Sequence, residues 1–289
     1  MKYINIFILF FFSGIVGAFA QLKPESVTEF KKSEDSLIRY VDSMNRGAIS
    51  EERIDYCHLF IKEFGHVLKK DNSFLYPFEE LSKKVHILYP EDKSFRIFNW
   101  PVEYAPARFR YYGVVQKMDG TLFPLIDQSE KIDDAQKNIL LTNKNWFGQE
   151  YYRIISEKNE NGNTIYFIFG VNHSRDNTSI KMMDVLNFKG NELTFGAPYF
   201  LKGQNRFVME YQKGTQVSLN YDAGQKMVVF NVLESEINQP QRKNTLVPNG
   251  DLDGLKWNVN RWELVRNLIP VIKLQDGQAP INGVIQTGK

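Results

Sequence analysis

The stretch TIYFIFG, Thr164 to Gly170, and its neighbour IKMMDVLNF, Ile180 to Phe188, decide how this chain must fold. Both are short, rich in aromatic and β-branched residues, and separated by a polar run containing Asn172, Ser174, Asp176 and Asn177. That is strand composition, and neither stretch is long enough for a typical buried helix. The same texture recurs outward, upstream over 95–100, 108–117, 122–126 and 151–157, and downstream over 206–212, 216–221, 227–233 and 262–265. Asp119-Gly120, Asn161-Gly162, Gly190-Asn191 and Ala223-Gly224 punctuate these runs with residues that tolerate the positive φ of tight turns. Parallel pairing would need crossover helices of about a dozen residues, and only 129–140 offers one. The sheet is therefore expected to be mainly antiparallel, a meander closing into a sandwich or barrel. A small propeller-like array is the alternative.

Before residue 86 the period is helical. Ile54, Cys57, Ile61, Phe64 and Leu68 recur at steps of three and four, with Ser50 as the expected N-cap ahead of Glu51 and Glu52. Val27, Phe30, Leu37, Val41 and Met44 keep the same rhythm, broken only by Glu34, and Gly47 falls where a C-terminal cap belongs. A third, shorter helix is predicted from Phe74, Phe78, Leu81 and Val85, with Pro77 in its first turn. These apolar stripes are wider than a two-helix contact needs, so Ile61 and Phe64 are expected to bury against the β body. The α+β organisation that follows has a leader over 1–20, a helical segment over 21–85, an antiparallel body over 86–274 and a flexible tail over 275–289.

The 289 residues are 43% hydrophobic and 24% charged, which excludes disordered and fibrous classes. Lys2, the apolar run Ile6 to Phe12, and Ala18-Phe19-Ala20 before Gln21 reproduce the charged, apolar and cleavage regions of a signal peptide in order. The uncharged stretch is shorter than the roughly 20 residues a bilayer demands, and no later run approaches that length. Export to the periplasm or beyond is expected. Net charge is +2, with no Lys/Arg cluster, which argues against nucleic acid as a partner. Cys57 is the only cysteine, so no intramolecular disulfide can form and the thiol is expected to act as a small hydrophobe.

No phosphate loop, nucleophile elbow or zinc motif is present, and the sequence assigns no catalytic residue, cofactor or metal ligand. His58 and His66 share a helix side, but Lys62 stands where a third zinc ligand would sit. His86 flanks a strand. The run His173-Ser174-Arg175-Asp176 has the residue types of a triad, yet loop neighbours cannot face one another as those roles require. Asp184 interrupts an apolar strand, and a carboxylate there needs either a raised pKa or a partner such as Lys181 or Arg206. Asn249 to Gly254 resembles the first half of a calcium loop, but Asn260 replaces the closing acid, so a plain turn after Pro248 is expected. Trp100, Trp146, Trp257 and Trp262 are candidate stacking faces for a sugar if any of them is exposed.

Taken together, Asp92, Lys93, Phe95, Arg96, Ile97 and Trp100, then Trp146, Gly148, Tyr151, Tyr152 and Ile154, then Lys181, Asp184, Val185 and Leu186 form one part of a recurring pattern. Phe195, Gly196, Pro198 and Phe200, then Arg206, Glu210, Tyr211, Tyr221 and Asp222, and finally Pro248, Gly250 and Asp253 complete it. This pattern resembles an uncharacterised family of exported proteins from Bacteroidota, over about residues 85–257. Asn231-Val232-Leu233 stands where that family carries Asp-His-Leu. The resemblance implies export and a β-rich body, and it carries over no activity. The sequence thus points to a non-catalytic binding or envelope-associated module, with a hydrolase acting on glycans or peptides through Asp184 and Glu210 as the alternative. Intact mass of the protein isolated from its own cells is expected to show Gln21 as the first residue. A chain still beginning at Met1 would remove the case for export.

Overall fold

Helix α1 (Pro24–Arg46) and helix α2 (Ser50–Leu68) form an antiparallel hairpin in a computed structural model that describes residues 22–132 and 138–268. Residues 1–21, where the leader is expected, residues 133–137 and everything after Leu268, including the tail expected over 275–289, lie outside the described residues. Gly47 caps α1 by donating its N–H to Ser43 O, and a Cβ there would come within 2.9 Å of Arg53 Cγ, so a bare backbone is required at the turn. Ser50 is not the N-cap of α2. Ile49 holds that position with no side-chain cap, and Glu52 instead ties the turn ahead of the helix by accepting from Ala48 N–H.

The third helix does not form. Only single turns, Ser73–Leu75 and Leu81–Lys83, appear in its place, and the chain between them is extended at Tyr76 and left-handed at Phe78, whose φ is 54°. Two buried groups hold it open. The Arg96 guanidinium takes the carbonyls of Ser73 and Tyr76, and the Glu34 carboxylate takes Leu81 N–H and the Tyr76 hydroxyl, so these backbone groups do not pair as a helix.

Three antiparallel sheets follow. The first has the order β1-β2-β3-β4, from β1 (His86–Leu88), β2 (Phe95–Ala105), β3 (Arg108–Lys117) and β4 (Leu122–Ile126). The second runs β5-β9-β8-β7-β6, from β5 (Leu141–Thr142), β6 (Glu150–Lys158), β7 (Thr164–Asn172), β8 (Thr178–Lys189) and β9 (Glu192–Phe195). Strand β8 is long enough to pair with β9 at one end and with β10 (Phe207–Gln212) along the other. The third sheet has the order β11-β12-β13-β14, from β11 (Leu219–Asp222), β12 (Met227–Ser235), β13 (Leu246–Asn258) and β14 (Arg261–Leu268). Every ladder among the described residues is antiparallel, apart from one isolated parallel bridge between Asp127 and Trp146, and no closed barrel forms. The crossover helix allowed for at 129–140 is reduced, among the described residues, to one turn at Ser129–Lys131 and a further turn residue at Asn138.

Alternation along the strands sorts side chains between three cores. In β2, Phe98, Trp100 and Val102 face the helices, while Phe95 and Ile97 face the second sheet. In β8, Ile180, Met182 and Leu186 join the core shared with the first sheet, and Met183 and Val185 join the core shared with the third. The second sheet is therefore covered on both faces, which is why its strands read as nearly continuous apolar runs.

Phe64 is buried, edge-on to Phe98 at 4.8 Å between ring centroids, so α2 does rest on the β body. Ile61 does not: it is 38% exposed, one step round the helix from the buried stripe. Phe64→Ala is accordingly expected to cost about 3–5 kcal/mol in chemical denaturation. Ile61→Ala should cost less than about 1 kcal/mol. Equal losses at the two positions would contradict this placement of α2.

Candidate functional site

The Asp184 carboxylate sits in the core between the first and second sheets, with Oδ2 3.0 Å from Arg206 Nε and Oδ1 accepting from Val185 N–H. Both partners are almost fully buried. Burial pushes the Asp184 carboxyl above the usual carboxylate range, and the guanidinium opposes that rise. Of the two sequence candidates for its partner, Arg206 is the one in contact, and it also donates to Phe195 O, which anchors the chain after β9.

Glu210 lies elsewhere. Register places it opposite Ile180, four residues along β8 from Asp184, or about 13 Å of strand. Paired carboxylates in glycoside hydrolysis stand about 5–10 Å apart. Glu210 accepts instead from Thr178 Oγ1 at 2.6 Å and meets Arg175 Nη1 at 3.5 Å.

His173 finds a serine, though not the one beside it in the chain. Its Nδ1 is 2.9 Å from Ser179 Oγ, because the register Asn172–Ile180 continues to bring 173 opposite 179. Ser174 Oγ instead accepts from Phe109 N–H. Ser179 is buried, which keeps its hydroxyl from an incoming substrate, and burial pushes the His173 imidazole down. His58 and His66 are both exposed on α2, and no group of metal-ligating side chains occurs among the described residues. His86 Nε2 is 2.7 Å from Glu150 Oε1, and that hydrogen bond holds its pKa above the ordinary value.

Asn249 to Gly254 is not a turn. These residues lie inside β13, where Gly250 with φ of 100° bends the strand and Asp253 accepts from Asn267 N–H. Asn249, Asp251 and Asp253 are strung at every second residue along a strand, about 13 Å from first to last, rather than wrapped around one point. Trp100, Trp146 and Trp262 are core residues, and the half-buried Trp257 packs on Trp262 and donates its indole N–H to Lys158 O. Cys57 is buried, its thiol pushed up to about 11 by desolvation, which keeps it protonated and unreactive.

One concavity is not announced by the sequence. A groove of about 940 Å³ runs between the segment after β4, the β7–β8 connection and the turn before β13, with Arg108, Lys131, Arg175, Asp176 and Lys243 bringing charge to it. Asp127 builds one wall. Its carboxylate accepts from Tyr111 N–H, Ser129 N–H, Ser129 Oγ and Gly148 N–H at 2.6–3.2 Å, fixing an Asx turn at the start of that segment. Gly148 must lack a side chain, since a Cβ would lie 2.2 Å from Asp127 Cγ. The opposite wall is set by Asn172, which accepts from Ser174 N–H and donates to Gly148 O, and by Arg175, which reaches across to Ile132 O.

Each acid of the groove is already engaged: Asp176 with Arg108, Glu130 with the Tyr104 hydroxyl, and nearby Glu210 with Thr178 and Arg175. Lys131 and the half-buried Lys243 have no hydrogen-bond or ion-pair partner for their ammonium groups among the described residues. Asp127-x-Ser129 is legible as a turn signal, but nothing in the local pattern reveals that Lys243, over a hundred positions later, joins it.

Comparison with protein-family models, curated proteins and solved structures yields no significant match.

His86 and His173 are expected to titrate on opposite sides of the ordinary value near 6.5. His86, raised by Glu150, contributes stability that is present below that value and lost as pH rises through its folded pKa. His173, depressed by burial, contributes stability present above the ordinary value and lost as pH falls through its folded pKa. Proton NMR should show the split, and Glu150→Gln should lower the His86 midpoint. A single common midpoint would contradict both environments.

Proposed function

We propose that the protein is an exported, non-catalytic binding module whose ligand lies in the groove between the post-β4 segment, the β7–β8 connection and the turn before β13. The observation that carries this reading is the division of labour among its charges. The acids are committed to structural bonds, whereas Lys131, Lys243 and the exposed amides of Asn177 and Asn244 are left for a ligand. General acid–base chemistry needs a carboxyl with a free proton site within reach of a second group, and Asp184 and Glu210 are held apart by β8. The leader-like first 20 residues and the resemblance to exported Bacteroidota proteins support export. The stacking of the second sheet between two others supports a sandwich-like scaffold, on which loops at one side carry the site.

Thermal unfolding in the presence of a panel of oligosaccharides and peptides, with mass analysis of each ligand afterwards, tests the reading. A ligand at 100 times its Kd raises stability by about 2.7 kcal/mol, so binding will register as a higher Tm with the ligand recovered intact. Cleavage of a ligand, abolished by Glu210→Gln, would instead establish the hydrolase.

A further inference from the structure

We propose that two copies of this chain pair through the open edge of β6, strand against strand across a twofold axis. β6 is the outermost strand of the second sheet, with β7 on one side and no strand on the other. Successive residues of an antiparallel strand point their backbone groups alternately to its two sides. Asn159 N–H donates to Asn163 O inside the β6–β7 hairpin, so Ile155 and Glu157 bond to β7 while Ile154, Ser156 and Lys158 point outward. Lys158 O accepts the Trp257 indole N–H, in keeping with that direction. The outward N–H and C=O groups of Ile154 and Ser156 have no partner among the described residues, and neither residue is buried.

Other sheet edges are blunted, as edges of monomeric proteins usually are. β4 exchanges backbone bonds at Ile126 with Asn143 and Trp146, β14 gives Trp262 N–H to Tyr199 O, and β10 lies against the turn Lys243–Thr245. β1, β5 and β11 are two to four residues long. Even β6 is covered at its ends, by Asn99 Oδ1 on Tyr151 N–H and by Trp257 at Lys158, which leaves the stretch Ile154 to Glu157 open.

The side chains along that opening select a second copy. Arg153, Ile155 and Glu157 share the face toward the third sheet, where Arg153 rests on the Tyr221 ring at 5.5 Å and Glu157 meets the Tyr221 hydroxyl. Neither charge has an ion-pair partner among the described residues. An antiparallel pairing with its twofold axis at Ile155 sets each Arg153 opposite the partner's Glu157 and each Ile154 opposite the partner's Ser156. Opposite charges then face each other in both halves, and the Ile154–Ser156 pairs supply about four backbone hydrogen bonds. Moving the axis to Ile154 puts Arg153 opposite the partner's Ile155 and offers only Glu150 against Lys158, although Glu150 already holds His86. A peptide of another protein could take the same backbone groups, but the match of β6 to its own charges is built into the strand.

So short an opening buries less than the roughly 1,200 Å² of a standard interface, and the dimer is expected to be weak and to grow with concentration. Sedimentation velocity on the protein isolated from its own cells, from micromolar to millimolar concentration, should show monomer passing to dimer. Hydrogen exchange read residue by residue should slow at Ile154 and Ser156 over the same range. Arg153→Glu and Glu157→Arg alone should each weaken pairing about tenfold or more, and the two together should restore it. Ser156→Pro removes an outward N–H without touching the β7 ladder and should abolish pairing, with unaltered Tm separating pairing from folding. A monomer at every concentration, with both amides exchanging fast, would overturn the proposal. Protection of both amides in a monomer would give the edge to another segment of this chain, and a dimer that leaves them unprotected would put its interface elsewhere; either overturns the proposal too. Failure of the double reversal to restore pairing in a folded protein would remove the Arg153–Glu157 match on which the choice of partner rests.

Discussion

A charge buried without a counter-charge holds the helical segment to the sheets. Arg96, on β2, is fully buried, and no carboxylate among the described residues is within ion-pair distance of it. Burying an unpaired ion costs several kcal/mol, and that cost lowers the Arg96 pKa. The offset comes from neutral groups: Gln116 Oε1, Tyr76 O, the Tyr89 hydroxyl and Ser73 O accept from its N–H groups at 2.7–3.0 Å, and the rings of Phe74, Phe78 and Phe98 lie 4.7–5.2 Å away. A guanidinium does this where an ammonium would not, because its planar fork donates in several directions at once while its faces stay apolar enough to stack.

The consequences spread from that point. Gln116, held by Arg96, donates from Nε2 to Leu68 O and Ser73 Oγ, and Ser73 Oγ donates to Leu68 O, so a buried carbonyl at the C-terminus of α2, which has no partner within the helix, is capped by groups from β3 and the following turn. Claiming the carbonyls of Ser73 and Tyr76 prevents a third helix, and the extended chain that results carries Phe78 into the cluster of Phe30, Phe64 and Phe98. Glu34, the polar break in the stripe of α1, is buried because it satisfies the same extended chain from the other side. One network thus joins both helices, β2 and β3.

The groove depends on similar reasoning at a different scale. Its walls are short irregular segments, which on their own would be mobile, and each is tied by a side chain that satisfies several backbone groups: Asp127 on one side, Asn172 on the other, with Gly148 donating to the first and accepting from the second. Lys213 adds a clamp from β10's end to Ala107 O and Arg175 O. Such tethering leaves the outward-facing charges preorganised, which is what gives a recognition surface affinity without a large ordering cost.

Local order was legible in the residues. Helical spacing marks α1 and α2, period-two aromatic runs mark β3 and β4 at their observed bounds, and Asp119-Gly120 and Asn161-Gly162 mark turns, because each depends on neighbours within a few positions. Phe64 and Asp184 also declared themselves, as an apolar step and as a polar break in an apolar strand. What long-range partners supply was not legible. Ile61 and Phe64 are indistinguishable by period, and only the position of β2 decides which is covered. Asn249 to Gly254 reads as a turn from its composition, yet pairing with β12 and the capture of Asn267 N–H by Asp253 hold it within a strand. Lys131 and Lys243 line one groove only because the sheets pack together, since side-chain convergence over more than a hundred residues is a property of packing and leaves no trace in the spacing of the chain.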